Sequence, residues 1–227
     1  MSEIWQALID LQDELIFRFQ EHGTEINEPG MERFNQPGWI NRVWTSQLFR
    51  RAHVDVVDAR DNKGLWMMHV CIFPHTNNAG PIYGLDVIAG KNKVTGFFHD
   101  FSPTVDHNDS LLQEFGDYVS QFNWKKEREL PDWAKAIFSE HMIAVGNVNT
   151  VEELETLCEI GLQNCDLWLD TIDHSARCFV DDGKTAQNRY AHFQKQNPHT
   201  PRTMTALGLN EDDVKLFVQD CLFPDIK

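Results

Sequence analysis

Arg51-Ala-His-Val-Asp-Val-Val-Asp58, Trp66-Met-Met-His-Val-Cys-Ile-Phe-Pro74 and Pro81-Ile-Tyr-Gly-Leu-Asp-Val-Ile-Ala-Gly90 are apolar runs with a carboxylate or imidazole near the middle of each. They are rich in β-branched and aromatic residues and bounded by turn formers, which predicts strands over 51–58, 65–73 and 82–89. Asp61-Asn62-Lys63-Gly64 is a turn signature, and 74–81 is a longer loop. A turn centred on Asn62 sets Asp55 opposite His69. A loop centred between residues 77 and 78 sets His69 opposite Asp86. An antiparallel meander in this register carries Asp55, His69 and Asp86 in a row, with opposed Cβ atoms roughly 4.5–5.5 Å apart.

Alternation along each strand fills the rest of that face. His53 and Val57 join Asp55; Met67, Cys71 and Phe73 join His69; Gly84 and Ile88 join Asp86. Gly90-Lys91-Asn92-Lys93 reads as a tight hairpin. The strand it starts, over 94–101, is expected to add Thr95, Phe97 and His99. The opposite face, with Val54, Val56, Val70, Ile72, Leu85 and Val87, reads as plain core.

Outward from the meander the pattern becomes helical. Ile4, Leu8, Leu11, Leu15 and Phe19 recur at helical spacing over 3–20, and 23–38 reads as an irregular connection. Helices are predicted over 110–122, from a capping box at Thr150 to about 176, and near 184–195, 202–207 and 210–222, with a strand over 142–145. Helices before and after a run of strands predict an antiparallel sheet covered on both faces, built by residues 1–227 as one domain.

The formal net charge is −15, which repels nucleic-acid phosphate. No run of about 18 apolar residues exists to cross a membrane. The start, Met1-Ser2-Glu3-Ile4-Trp5, lacks the basic and apolar regions of a signal peptide, so a cytoplasmic protein is expected, acting as a monomer. Five cysteines with no CxxC pair predict reduced, mostly buried thiols. An acidic protein partner would need local basic clusters; Arg50-Arg51, Lys91/Lys93 and Lys125-Lys126/Arg128 are the candidates.

A histidine between two carboxylates on an apolar wall holds its proton more firmly, while burial favours the protonated carboxyls. Such a coupled set suits a reaction in which each arriving electron is matched by a proton. Singly, mid-strand Asp and His are ordinary solvent-facing residues; three in register on one apolar face are not. Two other classes use the same residues. His53, Asp55, His69, Asp86 and His99 hold enough donors for a two-His, one-carboxylate metal site, although His53-Val-Asp55 is the one HxD pair. A binding module without catalysis is the other.

The stretch Trp66–Pro74 followed by Pro81–Gly90 resembles the ferredoxin-dependent bilin reductases, closest to the phycocyanobilin:ferredoxin oxidoreductase branch. Asp100-Phe-Ser-Pro103, Arg128-Glu-Leu-Pro-Asp-Trp133, Ile137-Phe-Ser-Glu140 and Asn197-Pro-His-Thr-Pro-Arg202 extend the likeness, from about residue 45 to Leu222-Phe223. The resemblance implies a three-layer α/β/α sandwich, with biliverdin IXα between the sheet and the C-terminal helices. It implies electrons delivered singly by ferredoxin, with no metal or flavin held permanently. It makes Asp86 the proton donor to the bilin and His69 its partner; beside them Asp55 is expected to be an auxiliary acid or a water-positioning group. His53, Thr95, Arg128, Asn197, Thr200 and Arg202 become substrate-binding positions. One departure stands out. Phycocyanobilin-forming members have glutamate at the position of Asp55, which protonates a vinyl group. Aspartate stops about 1.5 Å short, so the expected product is phycoerythrobilin through 15,16-dihydrobiliverdin, as in the similar viral branch called PcyX. Phycocyanobilin is the alternative.

Overall fold

In the computed structural model, which describes residues 3–91 and 93–227, helix α1 (Glu3–His22) leads into strands β1 (Thr24–Ile26), β2 (Trp39–Thr45) and β3 (Phe49–Ala59). A single turn, α2 (Arg60–Lys63), connects to β4 (Leu65–Pro74), β5 (Ile82–Gly90) and β6 (Lys93–Ser102). Then come α3 (Ser110–Val119), the short α4 (Asp132–Lys135), β7 (Ile143–Val145) and the long α5 (Val151–Thr171). Helices α6 (Val180–Gln194), α7 (His199–Ala206) and α8 (Glu211–Leu216) close the chain, and α8 runs into a π-helical segment over Phe217–Leu222. The seven strands pair antiparallel in chain order.

Each face of the sheet is sealed by a separate helical layer, which gives the three-layer sandwich expected. On one face Val54, Val56, Val70, Ile72, Leu85 and Val87 pack against Leu8, Leu11, Leu15 and Phe19 of α1, Phe115 of α3, and Leu154, Leu157 and Trp168 of α5. Side chains of this size each contribute about 1.5–3 kcal/mol when buried. The buried Trp168 indole donates to Pro81 O at 2.9 Å, which locks α5 to the start of β5. On the other face Trp39, Val43, Val57, Cys71 and Phe73 meet Tyr190 of α6, Met204 of α7, Val214 of α8, and Phe217–Phe223.

Local signals explain most element ends. Thr150 Oγ1 accepts from Glu153 N at 3.3 Å and caps α5, and Asp109 caps α3 through Leu111 N at 2.9 Å. Gly64 ends α2 with φ +59, a left-handed conformation that glycine adopts without strain. The connection read as irregular, 23–38, contains β1, which pairs with the far end of β2, and a 3₁₀ turn at Met31–Arg33. The helix read over 110–122 stops at Val119, and α5 stops at Thr171 before a 3₁₀ turn, five residues earlier than its composition suggests. The hairpin read at 90–93 includes Asn92, which lies outside the described residues.

One register expectation is corrected. The β5–β6 pairing shifts between Ile88 and Ala89: Ile88 faces Gly96, Ala89 faces Val94, and Thr95 is the extra residue of a bulge. Asp86 therefore sits opposite Phe98. Phe97 and His99 pair with Val87 and Leu85 and project into the opposite core. There His99 Nδ1 lies 2.8 Å from Gly84 O and Nε2 lies 3.0 Å from Asn164 Nδ2. Burial pulls it down to about 4, so it is a neutral core histidine.

Helix α6 approaches the loop after β4 so closely that a Cβ on Gly183 would lie 1.9 Å from Thr76 O. Gly183→Ala is expected to push α6 off the sheet and to cost about 2 kcal/mol or more; urea unfolding of wild type and variant measures it.

Candidate active site

Two rows of side chains cross the site face. The first runs Asn41, Asp55, His69, Asp86, Phe98 over β2 to β6, so the register read from the turns is the observed one for Asp55, His69 and Asp86. The second runs Val43, His53, Cys71, Gly84, Asp100. Gly84 leaves space over β5, and Tyr190 of α6 reaches into it. The Tyr190 hydroxyl sits 3.6 Å from where a Gly84 Cβ would be and 3.6 Å from Cys71 Sγ, and accepts from Gln194 Nε2 at 2.7 Å.

The acids and imidazoles divide their bonds unequally. His69 Nδ1 lies 2.6 Å from Asp86 Oδ1. Asp55 Oδ1 instead accepts from the Trp39 indole at 2.6 Å. Asn41 Nδ2 donates to Phe34 O at 3.0 Å, which leaves Asn41 Oδ1 as the acceptor 3.0 Å from His53 Nε2. His53 Nε2 must then carry the proton. His53 Nδ1 and His69 Nε2 are buried with no hydrogen-bond partner among the described residues. The two rings lie edge to face with centroids 6.3 Å apart, and Phe223 covers His69 at 5.3 Å.

Environment sets the protonation states. Burial drives the His53 proton off, helped by Arg51 and His69, so His53 is neutral and its Nδ1 is a free acceptor. Burial works against a charge on His69 too, but Cys71 and Asp86 more than offset it and hold His69 well above the usual histidine range. Its Nε2–H is thus a donor, as His53 Nδ1 is an acceptor, and neither is bonded within the site among the described residues. Burial pushes the Asp55 carboxyl up to about 7, against the pull of the Trp39 bond, His69 and Asn41. Asp86 is the open member: its side chain is 38% exposed against 12% for His69, and Asp55 is 5% exposed. Asp100 is held near 6 by burial against its bonds from Ser139 and Ser102, and ties the 139 segment to β6.

Depth is graded along the strands. The row of His53, Cys71, Gly84 and Asp100 is buried, whereas Met67, Asp86, Ile88 and Phe98 are half-buried. Thr95 and Arg128 stand at this open end. Thr95 Oγ1 donates to Ile88 O at 3.0 Å, and the exposed Arg128 bonds Thr95 O with its guanidinium 5.7 Å from the Phe98 ring centroid. Asn197, Thr200 and Arg202 lie at the start of α7, where Asn197 Oδ1 accepts from His199 N at 3.0 Å. Among the described residues, no hydrogen bond joins them to Asp55, His69, Asp86 or His53.

Trp39, Asn41, Tyr190 and Phe223 were not singled out from the sequence. Alternation of Trp39, Asn41 and Val43 before Arg51 would have marked β2 as one more strand of the same face. Tyr190 and Phe223 are brought in by packing that carries no local signal. The basic clusters separate. Arg50 donates to Gln187 and stacks 5.1 Å from Phe73, and Arg51 is buried with Glu28 at 2.7 Å and Cys221 O at 2.8 Å, so both are structural. Lys91, Lys93, Lys125, Lys126 and Arg128 are exposed and converge: Lys93 Nζ donates to Asn147 at 2.6 Å, and Gly146 N donates to Lys126 O at 3.0 Å. Among the described residues, no group of three or more His, Cys, Asp and Glu side chains is arranged to hold a metal ion, and no helix is long and apolar enough to cross a membrane.

Known proteins resemble this chain to different extents. A family model described as ferredoxin-dependent bilin reductase matches residues 10–224. Phycocyanobilin:ferredoxin oxidoreductase from Prochlorococcus marinus is 24% identical over 200 residues, covering 81% of this chain and 74% of the relative. The protein of that name from a Synechococcus species is 34% identical over 102 residues, 44% of this chain and 39% of the relative, so the match spans about two fifths of that relative's length. A solved structure of a PcyX protein is 40% identical with a TM-score of 0.74, covering 97% of this chain and 99% of that one. Tomato phytochromobilin synthase in complex with biliverdin shares the fold with a TM-score of 0.75 at 15% identity, covering 94% of this chain and 82% of that one.

Asp55 gives a pH signature in stability. Its carboxyl rises from 3.8 to about 7 in the fold, so between those values the unfolded chain ionises while the folded chain does not. Native stability therefore falls as pH rises through that window. Asp55→Asn removes the conflict. The variant is expected to be more stable than wild type at pH 8 by on the order of 2–4 kcal/mol, with the gap closing toward pH 4; denaturant unfolding across pH reads it.

Proposed function

Because the chain belongs to the ferredoxin-dependent bilin reductases, we propose that it reduces biliverdin IXα over the face carrying Asp55, His69 and Asp86, with ferredoxin supplying the electrons. The observation that carries this reading is the acid–imidazole–acid row beneath an aromatic and apolar cover. A flat, conjugated pigment takes up electrons singly, and each added electron makes it more basic. The site then needs proton donors within about 2.6–3.2 Å of the pigment. Asp86 is exposed enough to meet a ligand and is recharged by His69, to which it is bonded. The His69 Nε2–H donor and His53 Nδ1 acceptor suit a lactam, which offers both a carbonyl and an N–H.

The open end supports the orientation. Arg128 beside Thr95 suits a propionate, since a guanidinium pairs a carboxylate in fork geometry. Asn197, Thr200 and Arg202, at the start of α7, are assigned to the pigment's other face. No permanently bound metal or flavin is required, because the pigment itself stores the odd electron. The convergent Lys91, Lys93, Lys125 and Lys126 border this end and suit an acidic carrier such as ferredoxin, while the chain as a whole repels it.

The product follows from Asp55. It is one methylene shorter than glutamate and is bonded to Trp39, so it does not reach a vinyl group at the pigment's edge. Reduction then falls on the 15,16 bridge and next on the A-ring diene, giving phycoerythrobilin with four electrons and four protons taken up. A second reading, phycocyanobilin, is favoured by the names of the Prochlorococcus and Synechococcus relatives.

Anaerobic turnover of biliverdin with reduced ferredoxin, followed by absorption and product chromatography, is expected to pass through 15,16-dihydrobiliverdin to phycoerythrobilin. Phycocyanobilin as the product would refute the short-carboxylate argument, and binding without ferredoxin-dependent bleaching would refute the reductase reading. Asp86→Asn should slow turnover about 10²-fold or more, and Asp55→Glu should divert product toward phycocyanobilin. Reversing charge at Lys91 and Lys93 should raise the KM for ferredoxin several-fold while biliverdin affinity stays unchanged; equal KM values would move the docking face elsewhere.

A further inference from the structure

Asp55 is placed directly opposite His69 by the β3–β4 register, yet the two share no bond in the site. Oδ1 of Asp55 accepts from the Trp39 indole at 2.6 Å, and the imidazole turns its Nδ1 to Asp86. Trp39 comes from β2, where it sits opposite Val57, one step along the face from the Asn41–Asp55 pair. The indole therefore approaches the carboxyl diagonally across the sheet. It is 5% exposed and wedged between two buried rings, Phe34 at 5.5 Å and Phe217 at 5.0 Å between centroids. Phe34 and Phe217 also meet each other at 5.0 Å, which closes a three-ring cluster. The indole has one polar atom and it only donates. Burying it here without an acceptor would cost a hydrogen bond, so the cluster and the carboxyl hold each other in place.

We propose that Trp39 is a positioning residue that acts through Asp55: its indole N–H clamps the carboxyl toward β2 and so reserves His69 for Asp86. Held there, the carboxyl stays off the imidazole of the adjacent strand, and the exposed acid keeps the partner that recharges it. The clamp bears on catalysis only through the proposed role of Asp55 and Asp86 in bilin protonation, but its physical existence does not depend on that role.

The clamp also sets when Asp55 ionises. His69 from β4 and Asp86 from β5 face it, His53 and Arg51 flank it on its own strand, and Cys221 approaches from the C-terminal segment. From β2 it meets only the uncharged Trp39 and Asn41. Of the influences that stabilise the charged carboxyl, the indole bond is the largest. Removing it leaves burial less opposed, and the carboxyl holds its proton to higher pH.

Trp39→Phe keeps an aromatic ring against Phe34 and Phe217 and deletes the donor alone. Carbon-13 NMR of aspartate carboxyls in the ligand-free protein, with Asp55 assigned by its absence in Asp55→Asn, is expected to show its midpoint rise by about 1–2 pH units in Trp39→Phe. The pH profile of biliverdin reduction should move the same way, and Trp39→Phe should leave it in place when Asp55 is already Asn. In wild type the Trp39 indole N–H proton should shift with pH at the Asp55 midpoint, a measurement that needs no variant to fold. An Asp55 midpoint unmoved in folded Trp39→Phe, or an indole resonance indifferent to pH between 5 and 9, would overturn the clamp. A wild-type protein that binds biliverdin but does not reduce it would remove the functional reading and leave the carboxyl titration to decide the clamp.

Discussion

The pleat of an antiparallel sheet puts every second side chain on the same side, and a one-residue slip exchanges the faces of a whole strand. In this molecule that constraint decides whether there is a site at all. Two short returns, α2 between β3 and β4 and the loop before β5, bring Asp55, His69 and Asp86 abreast. A slip in either return would turn valine, isoleucine or leucine side chains out of the core on the other face and bring polar ones into it. Burying them holds the register, so the core under α1, α3 and α5 is what keeps the acids and the imidazole in line.

The two helical layers do different work. The first is a plain apolar contact that stabilises the sheet. The second, from α6 to Phe223, stabilises less perfectly, because it covers polar groups. The orphaned nitrogens of His53 and His69 and the raised carboxyl of Asp55 all reflect water being removed from side chains that would prefer it. The fold tolerates these losses because Asp86, Trp39 and Asn41 each satisfy one polar atom of the set. What remains unsatisfied on the two rings, His53 Nδ1 and His69 Nε2, is the acceptor and donor that the proposed bilin would meet.

The bulge at Thr95 shows how little is needed to change a site's membership. One extra residue turns His99 from the site face into the core, where it bonds Gly84 O and Asn164. It also aims the Thr95 carbonyl at Arg128 and so builds the rim of the open end. Bulges are set by the balance of two strands and their hairpin, and alternation in 94–101 taken alone carries no mark of it.

Local chemistry made much of this protein readable from its residues: the strand alternation, the turn at 61–64, the Thr150 cap and the row of Asp55, His69 and Asp86. Each depends on contacts within a strand, a turn or one hairpin, whose geometry a few neighbouring residues dictate. The resemblance carried by 66–90 pointed to the family for the same reason, since those residues are consecutive. Tertiary structure alone decided which acid bonds the imidazole, that Asp55 turns to Trp39, that Arg50 and Arg51 are interior, and that Tyr190 and Phe223 close over the row. Those outcomes depend on which side chains arrive from β2, α6 and the C-terminal segment once both layers pack. Partners up to 170 residues apart, as Arg51 and Cys221 are, leave no trace in the spacing of either neighbourhood.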